Sequence, residues 1–161
     1  MLFLVFQAGG NWYALDASQA VEILPLVCWN PLPGAPAGVA GVFNYRGTPV
    51  PLIDLTERIT QKASRAWMST RIIVVSQGTE LGNGTKLLGL LAEQVTETLR
   101  LSEDDFRHAA VAGSNAPYLG RIAVRPSGMI QRIEVRNLLP ADVQKGLFQE
   151  EADTASCDSP K

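Results

Sequence analysis

The sequence of 161 residues contains little of what most catalytic and metal-binding sites require. It has one histidine, His108, and two cysteines, Cys28 and Cys157. A lone histidine does not supply the ligand set of a zinc site, and no serine lies in the strained turn typical of hydrolase nucleophiles. Cys28 lies in an apolar segment and Cys157 in a polar one, which predicts two free thiols. We therefore expect no enzyme activity, no metal and no cofactor.

Basic residues are not in excess either. The chain has 14 lysines and arginines against 16 aspartates and glutamates, a net charge of −2. Nucleic-acid-binding proteins usually carry a basic face, so we expect no nucleic-acid partner. The apolar stretch 1–6 is short and lacks a basic start, and no apolar run approaches the roughly 20 residues of a membrane helix. These absences predict a cytoplasmic protein without direct membrane insertion.

The sequence does contain many short apolar stretches separated by glycine and proline. Residues 3–6 and 12–15 flank a glycine turn and predict a hairpin. Residues 72–75 and 87–92 are continuously apolar, which is typical of strands covered on both faces. Such a pattern predicts an all-β fold with short helices, built from small barrels. We expect one domain over residues 1–148, followed by a disordered acidic tail over 149–161.

The most informative segment is a predicted hairpin over residues 41–55. Two apolar runs flank a polar turn, and Gly47 can adopt the positive φ that such turns often need. Pro49 and Pro51 donate no backbone hydrogen bond, so the second run fits the edge of a sheet. Arg46 lies at the apex, where a cation can contact a partner or bond to the frame.

Three pairs of short segments recur in the same order along the chain. The members of each pair are 75, 79 and 80 residues apart, which indicates a duplicated unit and favours two barrels. The pairs are Glu22-Ile23-Leu24 with Glu97-Thr98-Leu99, Val39-Ala40-Gly41 with Tyr118-Leu119-Gly120, and Ile53-Asp54-Leu55 with Ile133-Glu134-Val135.

These motifs together resemble the CheW-like chemotaxis coupling domain. The most specific part is Asn44-x-Arg46-Gly47 followed by Val50-Pro51-x-Ile53-Asp54-Leu55, and the resemblance runs from about residue 3 to residue 139. It implies a pair of five-stranded SH3-like β-barrels packed together.

The resemblance also implies a function. Such a protein is a non-catalytic adaptor that couples a methyl-accepting chemoreceptor to a CheA-type histidine kinase. It would hold the receptor's cytoplasmic tip in a groove between the barrels, contact the kinase regulatory domain elsewhere, and join membrane-bound receptor arrays through these partners. The implied receptor-binding residues are Glu22, Ile23, Asn44, Arg46 and Val95, with Glu22 and Arg46 forming an ion pair. For the kinase-binding side we predict Val50, Leu52 and Asp54.

Several alternatives stay open at this stage. The chain could be a small-barrel interaction module with other partners or, less in keeping with its composition, an enzyme. Trp67 is either a partner anchor or a loop residue resting on the barrel. The chain departs from the family pattern at Ala20, Thr98, 108–110 and 133–135. These departures favour an accessory, non-flagellar pathway.

Overall fold

Ten strands and one short α-helix make up most of the part of the chain that the structure describes. The structure is a computed structural model, and it describes residues 1–77, 86–108 and 116–138. The strands are β1 Leu2–Ala8, β2 Asn11–Asp16, β3 Ala20–Pro25, β4 Val39–Tyr45, β5 Thr48–Asp54, β6 Arg71–Gln77, β7 Lys86–Arg100, β8 Phe106–Arg107, β9 Leu119–Arg125 and β10 Gly128–Ile133. Helix α1 spans Leu55–Thr60, and 3₁₀ turns span Ala17–Gln19, Glu103–Asp105 and Val135–Asn137. The predicted all-β class with short helices is confirmed.

Strands β3 to β6 and the first half of β7 form one barrel, which we call the first barrel. Its strands are paired in the order β3-β6-β7-β5-β4, and β5 runs parallel to β7. After β3 the chain crosses to β4, the strand at the other end of this order. There Asn30 and Val42 exchange two backbone hydrogen bonds of 2.8 and 2.9 Å. This bridge joins the two ends of the sheet.

The remaining strands form the second barrel. The second half of β7 pairs with β1, and the order continues through β2, β10, β9 and β8. As predicted, β1 and β2 form a hairpin, and its turn residues Gly9 and Gly10 have φ values of 58° and 79°. The N-terminal hairpin therefore completes a barrel whose other strands come from the C-terminal half of the chain.

Strand β7 belongs to both barrels. The sequence predicts a strand over residues 87–92, but β7 is much longer and runs without interruption from Lys86 to Arg100. Gln94, at the point where the strand leaves one barrel for the other, has a φ of 51°. A single residue with positive φ is therefore sufficient to redirect the strand, and no intervening loop is needed.

Buried side chains form one cluster inside each barrel and a larger one between them. On β6, Ile72 and Val74 face the first barrel's interior, while Ile73 and Val75 belong to the cluster shared with the second barrel. On β1, Phe3 lies inside the second barrel and Leu4 in the shared cluster. These strands are covered on both faces because the barrels pack against each other, which explains their continuously apolar sequences.

The two barrels have the same topology. Each contains an antiparallel hairpin, β4–β5 or β9–β10, whose second strand pairs in parallel with a strand of another hairpin. The Asp54 amide donates to the Gly38 carbonyl at 2.7 Å, and the Glu134 amide donates to the Tyr118 carbonyl at 2.7 Å. These bonds show that each residue of the first hairpin corresponds to the residue 80 positions later in the second hairpin. The predicted match of Val39 with Tyr118, which are 79 positions apart, was therefore wrong by one position.

Two features of the fold differ from expectation. Cys28 is disulfide-bonded, so the prediction of a free thiol there is wrong, because cysteine number and local polarity do not reveal which thiols meet in space.

Strand β5 is an edge strand only in its first half. Pro49 and Pro51 pair with β4 alone, whereas Leu52 to Asp54 lie between β4 and β7.

Some predictions concern residues outside the described ranges. They are the turn around 78–85, most of the loop 109–117, the helical stretch after Leu138, the tail 149–161 and Cys157.

Candidate functional site

The turn between β4 and β5 consists of Arg46 and Gly47. Both have positive φ, 50° and 84°, which is typical of the two-residue type I′ turn that matches the twist of a hairpin. The Asn44 side-chain oxygen accepts a hydrogen bond from the Gly47 amide at 2.8 Å. Asn44 therefore stabilises the turn, and its role in receptor binding stays a prediction.

A cluster of three side chains lies beside this turn, and we call it the Glu22 cluster. The Tyr45 hydroxyl donates to Glu22 Oε2 at 2.6 Å, and Arg46 Nη2 donates to the same oxygen at 2.9 Å. The Arg46 guanidinium also lies 5.3 Å from the centre of the Tyr45 ring. The structure thus brings together Glu22 and Arg46, as expected from the sequence, and adds Tyr45.

The members of the Glu22 cluster differ in exposure. Tyr45 is buried within the first barrel, whereas the Arg46 and Glu22 side chains are 74% and 34% exposed. The hydrogen bond to Glu22 raises the pKa of Tyr45 above its ordinary value, burial raises it further, and nearby Arg46 opposes the rise. The cluster therefore places a solvated cation over a buried phenol.

Strand β3 carries exposed apolar side chains next to this cluster. Its residues alternate, so that Glu22 and Leu24 are half-buried while Val21 and Ile23 are 51% and 43% exposed. Among the described strands, β3 pairs only with β6. Sequence reasoning selected Ile23 and missed Val21, although period-two alternation places both on one face.

Val95 lies at a different place. It is half-buried, packs on the cluster shared by the two barrels, and its amide donates to the Ser69 carbonyl at 3.1 Å. Val95 therefore lies where the two barrels meet.

The three residues predicted for kinase binding, Val50, Leu52 and Asp54, are buried in the first barrel. Val50 and Leu52 belong to the core of the first barrel. Asp54 caps helix α1 by accepting from the Glu57 amide at 3.1 Å, and it also accepts from the Ser64 amide at 2.8 Å. Leu52 and Asp54 also lie between β4 and β7, whereas Val50 pairs with β4 alone. All three side chains contribute to the fold of the first barrel, and their role in kinase binding stays a prediction.

Trp67 is partly exposed but is held in place. Its indole nitrogen donates to Glu93 Oε2 at 3.3 Å, and the Arg65 amide donates to Glu93 Oε1 at 2.6 Å. Arg65 also lies 5.7 Å from the Trp67 ring. This loop rests on β7, while its neighbour Met68 is almost fully exposed. Trp67 is therefore held against the barrel by Glu93 and Arg65 while 46% of its surface stays exposed.

Other site types find little support in the described ranges. Those residues contain no group of three or more histidine, cysteine, aspartate or glutamate side chains suited to a metal ion. They also contain no helix long and apolar enough to cross a membrane. His108 is exposed.

Comparison with known proteins identifies the family. The model of the CheW-like domain matches residues 2–143. The chain belongs to the CheW-like family. Its CheW-like fold places the Glu22 cluster at the hairpin that carried the resemblance in the sequence. The family comprises adaptor and scaffold proteins, and this membership confirms the prediction that the chain is not an enzyme.

Individual CheW proteins align with the chain to different extents. Chemotaxis protein CheW of Helicobacter pylori is 30% identical over 103 residues, which are 64% of this chain and 59% of that protein. Chemotaxis protein CheW of Klebsiella aerogenes is 25% identical over 142 residues, 87% of this chain and 82% of that protein. The chain thus spans less than two thirds of the Helicobacter protein.

A solved structure extends the comparison to the fold. The crystal structure of the scaffolding protein TtCheW from Thermoanaerobacter tengcongensis superposes with a TM-score of 0.75 at 25% identity. The superposition covers 88% of this chain and 89% of that one. The neighbour supports the paired-barrel architecture predicted for this chain.

Proposed function

We propose that this CheW-like protein couples a chemoreceptor to a CheA-type histidine kinase by holding both in a fixed geometry. The cytoplasmic tip of such a receptor would bind at the first barrel, and the kinase regulatory domain would bind at another surface. Signal would pass by placement of the partners, so the protein itself would carry out no reaction. The names and structure of its relatives support a chemosensory adaptor in general.

The observation that carries the receptor side is the juxtaposition of charge and apolar surface at β3. Arg46 and Glu22 form an ion pair of 2.9 Å next to the exposed side chains of Val21 and Ile23. An amphipathic helix can lay apolar residues against the β3 face and place a polar residue on the Arg46 guanidinium. Binding energy is usually concentrated in a few residues, among which arginine is common. Arg46 is therefore the residue to test first.

The test compares two partners for one set of variants. Binding of the full chain to a purified receptor-tip fragment and to a kinase regulatory domain, both from the same genome, is measured separately by calorimetry. We expect Arg46→Ala and Ile23→Ala each to weaken receptor binding by about fivefold or more, with kinase binding retained. Arg107→Ala, an exposed arginine of the second barrel, is the matched control and should alter neither affinity.

Three outcomes would contradict the proposal. Unchanged receptor binding in both variants would show that β3 is not the receptor surface. Equal loss of both partners would mean that the Glu22 cluster acts only on the fold. Binding of neither partner by the wild-type chain would favour an interaction module with other partners.

The kinase contact and the output pathway stay predictions. Because Val50, Leu52 and Asp54 are buried in the free chain, cross-linking of the complex tests whether the kinase contacts this hairpin or another surface. The predicted cytoplasmic location at receptor arrays is tested by fractionation with and without the receptors. An accessory rather than flagellar output is tested by deleting the gene and scoring motility.

A further inference from the structure

One end of the second barrel, which we call its mouth, is open, whereas the corresponding end of the first barrel is filled by side chains. A cavity of about 270 Å³ lies there, with apolar walls and a charged rim. The walls include Val5, Trp12, Leu99 and Ile130, and the rim includes Glu97 and Arg125. None of these residues belongs to the proposed receptor surface on the first barrel.

The aligned topologies show which first-barrel residues correspond to this mouth. At the turn of the β4–β5 hairpin, Tyr45 pairs with Thr48. At the turn of the β9–β10 hairpin, Arg125 pairs with Gly128, and both residues lie 80 positions after their counterparts. Glu22 pairs with Val74 just after a β-bulge, and Glu97 pairs with Val5 beside the bulge of the β1–β7 ladder. Arg125 therefore takes the place of Tyr45, and Glu97 takes the place of Glu22.

In the first barrel the mouth is closed by the chain's own aromatic rings. Tyr45 is buried, lies edge-on to Phe43 with ring centres 6.5 Å apart, and donates its hydroxyl to Glu22. The second barrel has Ala123 where Phe43 stands, because Phe43 pairs with Val50 as Ala123 pairs with Ile130. Two rings are thus replaced by a methyl group and a flexible arginine, while Trp12 takes the place of Leu87 and forms one wall of the cavity.

The charges at the two mouths are also alike. The first mouth presents a glutamate and an arginine to the Tyr45 ring, and the second presents Glu97 and Arg125. Within the described ranges, neither of these second-mouth side chains has a hydrogen-bond or ion-pair partner. The second mouth therefore retains the polar groups of the first but lacks the phenol between them.

We propose that the second-barrel mouth binds a tyrosine side chain of a partner protein. The phenol ring would lie between Trp12 and Ile130, its hydroxyl would donate to the Glu97 carboxylate, and Arg125 would provide the cation beside the ring. The volume is below the about 300–1,000 Å³ of pockets for drug-sized ligands, so a single side chain fits better than a cofactor. This inference concerns the other barrel and does not depend on the proposed receptor contact.

The tyrosine would come from a different protein and not from a second copy of the chain. The sequence has three tyrosines, Tyr13, Tyr45 and Tyr118, and all three are buried. Val124 and Met129 face each other on the outer side of the same hairpin and are 69% and 64% exposed. Exposed apolar residues beside a pocket suit a protein that covers the hairpin while inserting one ring.

The experiment titrates the full chain with N-acetyl-L-tyrosinamide and follows the Trp12 indole N–H by NMR. N-acetyl-L-phenylalaninamide is the matched probe without the hydroxyl. We expect the tyrosine probe to shift the Trp12 signal and to bind about two- to tenfold more tightly than the phenylalanine probe. Glu97→Gln should reduce this preference, and Asp104→Asn, an exposed carboxylate of the same barrel, should not change it.

The decisive variant is Arg125→Tyr, which installs in the second barrel the residue that fills the first. It should abolish binding of the tyrosine probe and raise the thermal midpoint. If this variant does not fold, the Glu97→Gln result decides. The proposal is overturned if the Trp12 signal does not move, if the two probes bind equally, or if folded Arg125→Tyr still binds. Tighter binding of free p-cresol would indicate a small-molecule site, and dimerisation that Arg125→Tyr abolishes would assign the mouth to a second copy.

Discussion

The two barrels share a topology, but corresponding positions in their interiors are packed with side chains of different size. In the first barrel Phe43 lies against Gly89, and a Cβ added at Gly89 would overlap the Phe43 ring. The corresponding residues of the second barrel are Ala123 and Ala14, so a small residue faces a small residue there. The Phe43 ring fits because Gly89 has no side chain. The backbone thus permits both arrangements, and the sequence decides which barrel has a full mouth.

A second difference lies on the parallel strand pair of each barrel. Leu52 of β5 is fully buried, whereas the corresponding residue of β10 is Arg132. Arg132 lies 2.9 Å from Glu103, 3.4 Å from Glu134 and 3.9 Å from Asp16. Its guanidinium also lies over the Phe3 ring at 5.4 Å. The first barrel is therefore closed by apolar packing at this position and the second by a charge network.

The largest expected effect is the loss of stability when the Phe43 ring is removed from the first barrel. Phe43→Ala should lower the free energy of unfolding by about 3–5 kcal/mol, because it leaves a cavity among buried neighbours. Gly89→Ala should cost about 1–3 kcal/mol through overpacking. In the double variant the new methyl group occupies space that the ring has left, so the combined cost should be less than the sum. Urea unfolding of the four proteins measures this coupling.

The matched control for this cycle is Ala14→Gly in the second barrel. It should cost about 0.5–1 kcal/mol, as glycine in a strand does, and should not couple to Phe43→Ala. Additive costs of Phe43→Ala and Gly89→Ala, within about 0.5 kcal/mol, would show that the two positions do not compensate each other.

The next effect concerns the charge network of the second barrel. Arg132→Ala should cost about 2–4 kcal/mol, because it leaves three carboxylates without their common cation. Arg132→Leu, which installs the residue of the first barrel, should cost less since it restores apolar packing against Phe3. Arg121→Ala is the control. Arg121 is exposed and lies 3.8 Å from Glu103, so its loss should cost about 0–1 kcal/mol. A cost for Arg132→Ala no larger than the control would contradict this account of the network.

A smaller effect should appear at alkaline pH. The hydrogen bond to Glu22 raises the pKa of Tyr45 above 10.0, so the folded protein holds this proton more tightly than the unfolded chain does. The contribution of Tyr45 to stability is therefore complete below the unfolded value, and it is lost as pH rises through the folded pKa. Near-ultraviolet absorbance titration, with Tyr45→Phe subtracted, should show a lower Tyr45 pKa in Glu22→Gln. An unchanged pKa in that variant would mean that the hydrogen bond does not set it.

The smallest expected effect on stability is that of the ion pair between Glu22 and Arg46. Arg46 is largely exposed, so a double-mutant cycle should give a coupling of about 0.2–1 kcal/mol. The reversal Glu22→Arg with Arg46→Glu should restore part of any loss in thermal midpoint. A coupling of several kcal/mol would show that the pair maintains the fold of the first barrel. The charges of Glu22 and Arg46 could then no longer be treated as the counterpart of Glu97 and Arg125 in the second barrel.

Much of the first barrel could be predicted from local sequence, because its signals act over a few residues. Asn44, Arg46 and Gly47 predict a tight turn through their backbone preferences, and the structure has a two-residue turn there. The motif around them led to the family, which the comparisons confirm. Even the duplication was visible, since Glu22 and Glu97 occupy corresponding strands of two barrels with one topology.

Local sequence could not determine which residues become neighbours across the fold. The prolines of β5 predicted an edge strand, but Leu52 and Asp54 pair with β7, because pairing with a distant strand leaves no local mark in the sequence. Tyr45 gave no sign of its hydrogen bond to Glu22, which lies 23 positions earlier. The cavity at the mouth of the second barrel is lined by residues of different strands, among them Val5, Trp12, Glu97 and Ile130. The space left between side chains from separate strands is set by packing in three dimensions, and only the tertiary structure determines it.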